Sequence, residues 1–465
     1  MSVGHKISRA AFGKVIDSTL KHVNKDRKTG LLEILDLSQK LMGNNFADET
    51  YVNVRKTIND PDSKWMAYVN KLLDELHPNV IKMTALNLGY EAAFCGTKKI
   101  RKMREVHQCN IPWVILIDPT SACNLHCKGC WAAEYGHKLN LSFEELDSIV
   151  TQGKELGTYF YMFTGGEPLV RKADLIRLCE KHNDCAFHSF TNGTLVDEAF
   201  CEEMERVGNL SLSLSLEGEE SVNDGRRGEG DYKKVLAAME LLKKHGQLFG
   251  TSICYTRNNI DTVTSDEFLD MIIEKGCRFT WYFHYMPVGN EAAVDLMPTM
   301  EQRKYMFKRV REIRSSEGGK NIFAMDFQND GEFVGGCIAG GRNYCHINAN
   351  GDVEPCVFIH YSSANIRKNT LLECLQQPLF MAYRNGQPFN ENHLRPCPML
   401  ENPELLQKMV KETGAKSTDL QSPESAEHLC GKCIEYAKEW SDVAEDLWCG
   451  RKHFQTNYQN YKKAN

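Results

Sequence analysis

Between about residues 112 and 290, short apolar runs alternate with longer stretches in which apolar residues return every three or four positions. The runs Trp113–Asp118, Tyr159–Thr164, Ala186–Thr191, Leu210–Leu216, Gly250–Thr256 and Phe279–Tyr285 predict six strands. The stretches between them predict helices. The clearest is Phe143–Leu156, where Ser142 and Glu145 make a capping-box pair and Phe143, Leu146, Ile149 and Val150 share one face. A second, Tyr232–His245, is stopped by Gly246. Six strand–helix units in series predict an α/β fold, a parallel sheet curling toward a barrel with its functional groups at the C-terminal strand ends. The fourth strand is unusual, because Leu210-Ser-Leu-Ser-Leu-Ser-Leu216 puts Ser211, Ser213 and Ser215 on one face. Both faces of a parallel sheet are normally covered, so a row of hydroxyls points to a polar ligand inside.

The flanks read differently. Residues 1–105 carry helix-period segments, Ala10–Val23, Gly30–Leu41, Asp60–Leu76 and Asn79–Arg104, and no period-two run. They predict a helical N-terminal domain, either a cap over the barrel mouth or a module that docks a partner. The apolar side of Trp65–Leu76 reads as core rather than membrane surface. Residues 106–325 then form the barrel, and residues 326–465 a small cysteine-rich C-terminal domain.

A net charge of −6 with 25% charged residues argues against a nucleic-acid or anionic-membrane binder. The one dense basic run, Lys98, Lys99, Arg101, Lys102 and Arg104, reads as a solvated helix face. Neither an N-terminal apolar segment nor a bilayer-length apolar stretch occurs, so the expected location is cytoplasmic. Eighteen cysteines in 465 residues favour metal and thiolate chemistry over disulfides in that compartment. Cys179, Cys201 and Cys254 fall inside predicted elements and read as core thiols.

Cys123, Cys127 and Cys130, spaced x3 and x2, stand in the loop after the first strand. Three thiolates can hold three irons of a four-iron cluster and leave the fourth iron open. A zinc site completed by His126 or His137 would use the same spacing. The second strand ends in Thr164-Gly-Gly-Glu-Pro168, where Gly165 and Gly166 permit close backbone approach and Glu167 offers a carboxylate to a cationic amine.

Together these two motifs make residues 106 to 290 resemble the radical S-adenosylmethionine (radical SAM) enzymes. The resemblance implies a partial (β/α)6 TIM-type barrel, open sideways to admit large substrates. It implies a [4Fe-4S] cluster on Cys123, Cys127 and Cys130, with the SAM amino group at Gly165, Gly166 and Glu167. Asn192, in Thr191-Asn-Gly193, matches another recurring family element and either touches the cofactor or holds the turn. Ser213 and Ser215 are implied contacts for the SAM ribose or carboxylate. Arg226 and its neighbour Arg227 suit a carboxylate, or else belong to a solvated glycine-rich loop. One departure stands out. The family usually has an aromatic residue just before the third cysteine, beside the adenine, whereas this chain has Gly129 there and Trp131 after it.

The segment Cys337-x13-Gly351-x4-Cys356 resembles the start of a SPASM domain, which carries auxiliary [4Fe-4S] clusters. Its later cysteine run is incomplete here, which implies a reduced, twitch-like module with one auxiliary cluster on Cys337, Cys345, Cys356 and Cys397. Cys430, Cys433 and Cys449 then form a second incomplete site, a zinc site or structural thiols. His346, His360, His393 and His428 read as hydrogen-bonding groups rather than ligands.

The implied function is reductive cleavage of SAM to a 5′-deoxyadenosyl radical, which abstracts hydrogen from a substrate. The electron would come from a low-potential donor of the flavodoxin or ferredoxin type. SPASM-type relatives commonly modify a peptide or protein side chain, and others act on a lipid or small molecule. Tyr282, His284 and Tyr285, ending the sixth strand, face that substrate or pack the barrel. A non-catalytic iron–sulfur carrier or scaffold is the alternative class, and it has no use for Gly165-Gly166-Glu167. No catalytic side chain stands out.

Overall fold

A computed structural model describes residues 3–23, 26–42, 48–132 and 135–449. All six expected strands form, each within one residue of its expected ends: β1 (Val114–Ile117), β2 (Phe160–Phe163), β3 (Ala186–Thr191), β4 (Leu210–Ser215), β5 (Phe249–Tyr255) and β6 (Phe279–His284). The sheet then goes further than the six units. A seventh strand, β7 (Phe323–Asp326), lies parallel beside β6. At the other edge β8 (Tyr344–Ile347) runs parallel to β1, in the register Val114↔Tyr344 to Ile117↔Ile347, and β9 (Val353–Glu354) folds back on β8. The order is β7-β6-β5-β4-β3-β2-β1-β8-β9, an open curved sheet. The cysteine-rich segment therefore supplies two strands to the sheet of the barrel.

Strand alternation divides the apolar residues between two cores. Ile115, Ile117, Tyr161, Phe163, Leu212 and Leu214 face the helices, together with Leu146 and Ile149. Leu116, Met162, Tyr285 and Met286 face inward, toward Cys356 and Phe358 of the C-terminal segment. The helix Phe143–Leu156 forms with its capping box complete: Glu145 N–H donates to Ser142 Oγ at 3.1 Å, and Ser142 N–H donates to the Glu145 carboxylate at 2.6 Å.

The N-terminal region is helical throughout its described residues, as α1 (Val3–Val23), α2 (Arg27–Met42), α3 (Asp48–Asn59), α4 (Lys64–Glu75), α5 (Pro78–Thr84), a π-helical segment (Ala85–Gly96) and α6 (Thr97–His107). The expected helix Asn79–Arg104 is thus three consecutive pieces, and α3 had no counterpart in the periodicity reading. These helices do not cap the mouth. They bond to residues that precede the strands: Tyr68 Oη to Arg278 O at 2.8 Å, His77 N to Gly246 O at 2.8 Å, and Asn87 Nδ2 to Cys185 O at 2.7 Å. The helical region closes the N-terminal ends of the strands. At the C-terminal ends, Val357 and Phe358 line the central cavity.

Candidate active site

The cavity at the C-terminal strand ends, ≈ 180 Å³, is lined by Cys123, Cys127, Cys130, Gly165, Gly166, Glu167, Asn192, Ser215, Arg226 and Arg227, among others. Sequentially distant segments meet there because each ends a strand or follows one. The cysteine loop and the Gly-Gly-Glu turn are stitched together by backbone: Gly166 N donates to Thr120 O at 3.0 Å, and Glu167 N to Ala122 O at 2.8 Å. A Cβ at Gly166 would stand 2.2 Å from Ala122 O, so this crossing requires glycine.

Glu167 is fully buried. Its Oε1 accepts from Leu169 N at 2.9 Å and Thr191 Oγ1 at 2.7 Å, and its Oε2 from Asn192 N at 2.8 Å. A carboxylate can accept about four hydrogen bonds, which leaves this one a single vacant direction in a cavity wall. Burial raises its pKa, and the three donors work against that rise. Asn192 spends its side chain inside the protein, donating to Asn124 Oδ1 at 2.8 Å and accepting from Thr194 N and Oγ1 at 3.0 and 2.7 Å. It holds its turn to the cysteine loop.

The serine row separates into two environments. Ser211 and Ser213 bond the two ring nitrogens of His188, at 2.8 and 2.9 Å. Burial drives His188 down to about 3, so the ring is neutral, and one nitrogen donates while the other accepts. Ser213 therefore stands beneath the cavity, and only Ser215 lines it. The expected contact from Ser213 is corrected by a histidine on the neighbouring strand, whose register the chain's one-dimensional pattern does not contain.

Arg226 and Arg227 both turn onto buried Glu217. Arg226 Nη1 reaches its Oε1 at 2.5 Å, and Arg227 donates to the same oxygen through Nε at 3.0 Å and through Nη2. Arg227 Nη1 also donates to Cys127 Sγ at 3.9 Å. Burial works against the charge of Arg226, and Glu217 more than restores it. Glu217 Oε2 and Arg226 Nε are buried without a partner. The sequence offered Arg226 and Arg227 for a carboxylate, and in the fold the carboxylate they meet is the protein's own Glu217. Burial also lifts the Cys123 thiol to about 11 and raises Cys127, while Arg227 pulls Cys127 back. Cys254, read as a core thiol, lines the cavity as well.

The two aromatic expectations resolve in opposite ways. At Gly129, with φ 64°, a Cβ would meet the Tyr285 ring at 2.8 Å, so a residue from the end of β6 fills the space over the missing side chain. Trp131, by contrast, itself lines the cavity, and it meets His346, Phe358 and His360 edge-on at 5.8, 6.3 and 6.1 Å. Tyr282 points outward and donates to Val263 O at 2.8 Å, a packing role. His284, also buried and pushed down to about 3, bonds Tyr436 Oη at 2.6 Å beside the cavity.

A second cavity, ≈ 550 Å³, is walled by Cys337, Cys356 and Cys397. Tyr344 Oη donates to Cys356 Sγ at 2.6 Å, and the N–H groups of Met399 and Leu400 each reach Cys397 Sγ at 3.4 Å. Cys345 is not among them. Tyr344 and His346 occupy the inner face of β8, so alternation turns Cys345 outward into the helix-side core, beside Cys374. Cys430 and Cys433 are buried near the start of the helix Ile434–Trp448, and Cys449 is exposed at its far end. Fifteen residues of helix, ~22 Å, keep these three from sharing one ion.

The donor sets fit the groups the motifs imply. Three thiols gather on one loop with N–H donors from Leu125 and Arg227 aimed at sulfur. Beside them Arg226 lines the cavity, its Nε buried without a hydrogen-bond partner. The model of the radical SAM superfamily matches residues 117–274, and that of the iron–sulfur cluster-binding SPASM domain matches residues 337–399. Residues 117–274 are thus a radical SAM domain. The chain is an enzyme that works with SAM and a [4Fe-4S] cluster, and its SPASM domain implies auxiliary iron–sulfur clusters. This radical SAM enzyme is 24% identical over 355 residues to an AdoMet-dependent heme synthase of Methanosarcina barkeri (strain Fusaro / DSM 804), covering 71% of this chain and 90% of that one. It is 27% identical over 260 residues to a PqqA peptide cyclase of Granulibacter bethesdensis, covering 53% of this chain and 67% of that one. Its fold is similar to that of Streptococcus suis SuiB bound to precursor peptide SuiA, with a TM-score of 0.51 at 19% identity over 63% of this chain and 71% of that one. Among the described residues, no helix is long and apolar enough to cross a membrane.

Proposed function

We propose that this radical SAM enzyme holds its catalytic cluster on Cys123, Cys127 and Cys130 and binds SAM against Gly165, Gly166, Glu167, Ser215 and Arg226. The crossing of the cysteine loop and the Gly-Gly-Glu turn at Ala122 carries this reading, because it brings thiols and carboxylate into one cavity. When bound, the cluster and SAM supply a 5′-deoxyadenosyl radical able to abstract hydrogen from an unactivated carbon. The chain's own residues bind, orient and exclude water. Glu167 offers its vacant lone pair to an ammonium group. Glu217 keeps Arg226 and Arg227 fixed, so that one guanidinium faces the cavity and the other steadies Cys127. Tyr285, Met286 and Phe358 dry the space where the substrate carbon comes to rest. Cys337, Cys356 and Cys397, which line the second cavity, would hold an auxiliary cluster. The division at residues 105 and 325, a cytoplasmic location and a flavodoxin- or ferredoxin-type donor belong to the same proposal.

A peptide or protein side chain is one substrate class, supported by similarity to a PqqA peptide cyclase. A lipid or small molecule is the other, and the apolar second cavity favours it. The test is anaerobic reconstitution with iron and sulfide, then assay of the reduced protein with SAM. Wild type is expected to form 5′-deoxyadenosine, and Cys127→Ala to form none. A filled, reducible cluster whose spectrum ignores SAM would overturn the reading.

A further inference from the structure

The inward face of β7 and the loop after it make an apolar wall: Phe323, Met325 and Phe327 alternate onto it, and Trp281 of β6 stands beside them. At ~3.3 Å per residue the wall is ~13 Å long. It ends at one side in the three thiols Cys337, Cys356 and Cys397, and Met286 and Phe358 belong to both this cavity and the SAM cavity. The far rim is apolar and exposed: Phe323 is 43%, Phe333 39% and Val334 39% accessible.

Every charged group on this lining is already committed within the protein. Arg314 grips Asp330 through two bonds of 2.8 Å, and Asp326 accepts from Gln328 N, Asn329 N and Asn329 Nδ2 at 3.2, 3.1 and 2.7 Å. Gln328 accepts from His284 N and donates to Met286 Sδ, and Tyr344 donates to Cys356. A carboxylate or a peptide main chain entering here would give up its water for a lining whose charged groups are already paired. A hydrocarbon chain loses nothing polar and gains the burial of its whole surface.

We propose that the stretch of this cavity along β7, beside the thiols that would hold an auxiliary cluster, takes the hydrocarbon chain of a lipid-like substrate, entering over Phe333 and Val334 and running toward Met286 and the SAM cavity. This rests on the reading of the chain as a SAM-cleaving enzyme and names its substrate class. Because the rim is exposed, a charge can be placed there without disturbing the core.

The probe is radiolabelled 1-hexadecanol, titrated into anaerobically reconstituted full-length protein and measured by rapid filtration. One saturable equivalent is expected, with binding at least tenfold weaker in Val334→Glu. Iron content and substrate-free 5′-deoxyadenosine formation should not change in that variant. As a second arm, a capped apolar hexapeptide is offered in competition at the same concentration. Non-saturable uptake, equal binding by Val334→Glu, or full displacement by the peptide would each overturn the proposal. Loss of 5′-deoxyadenosine formation with hexadecanol still bound would instead remove the enzyme reading and leave the cavity's preference standing.

Discussion

The residues that build the catalytic cavity hold one another before they hold anything else. Glu167 spends three of its acceptor directions on the protein, Asn192 both ends of its amide, and Glu217 one oxygen on two arginines. Gly166 is the tightest of these joints. Gly166→Ala would drive a methyl group into the Ala122 carbonyl and part the two loops, at a cost of about 2 kcal/mol. The expected outcome is a folded protein, by circular dichroism, with a lower melting temperature and a clear loss of bound iron after reconstitution. The cysteines, glycines and Glu167 were legible because their spacing is local to the chain. The pairing of Arg226 and Arg227 with buried Glu217, and of His188 with the serine row, was not, since it comes from burial and from neighbours on other segments.

At the scale of an element, β4 shows how a period-two pattern can be right about the face and still silent about use. The alternation placed three hydroxyls on one side, but His188 of β3 engages two of them. Ser213→Ala should leave a ring nitrogen of His188 buried and unpaired, costing about 1–3 kcal/mol in thermal unfolding. Ser215→Ala should leave stability nearly unchanged while weakening SAM binding by up to about tenfold, read by equilibrium dialysis against the reconstituted protein. Equal stability losses from both would erase the distinction. β8 gives the same lesson in the cysteine-rich segment. Spacing grouped Cys345 with its neighbours, whereas the inward turn of Tyr344 and His346 sends it to the other core. The six barrel strands were readable because apolar runs bounded by turn residues mark buried strands, and the three added at the sheet edges were too short or too polar to show it.

Across the whole molecule, the strand pairs at one edge are locked by a buried charge. His346 of β8 lies between Asp118, at 2.9 Å, and Glu354 of β9, at 2.6 Å. Burial alone would lower its pKa; the two carboxylates overcome that and raise it to about 10. Burial in turn raises Asp118, which His346 partly offsets. A histidine whose folded pKa lies above its usual 6.5 contributes stability that is fully present below 6.5 and is lost as pH rises through about 10. Melting temperature should therefore fall between pH 7 and pH 10, and His346→Gln should flatten that slope; an unchanged slope in the variant would show that other groups carry it. The N-terminal helices were read correctly as helices, and of the two roles weighed for them, a cap over the mouth or a docking module, their bonds at the N-terminal strand ends argue against the cap. Periodicity fixes which side of a helix is apolar but not which end of a sheet it meets.

Asp118 and His346 are 228 positions apart. During synthesis, all six strand–helix units of the barrel leave the ribosome before β8 exists. Throughout that interval the edge of β1, with the cysteine loop hanging from its end, has no partner on one side. A young chain thus shows an open strand edge and three thiols together, a combination inviting both aggregation and oxidation. The strand made late is the one that shuts the strand made first.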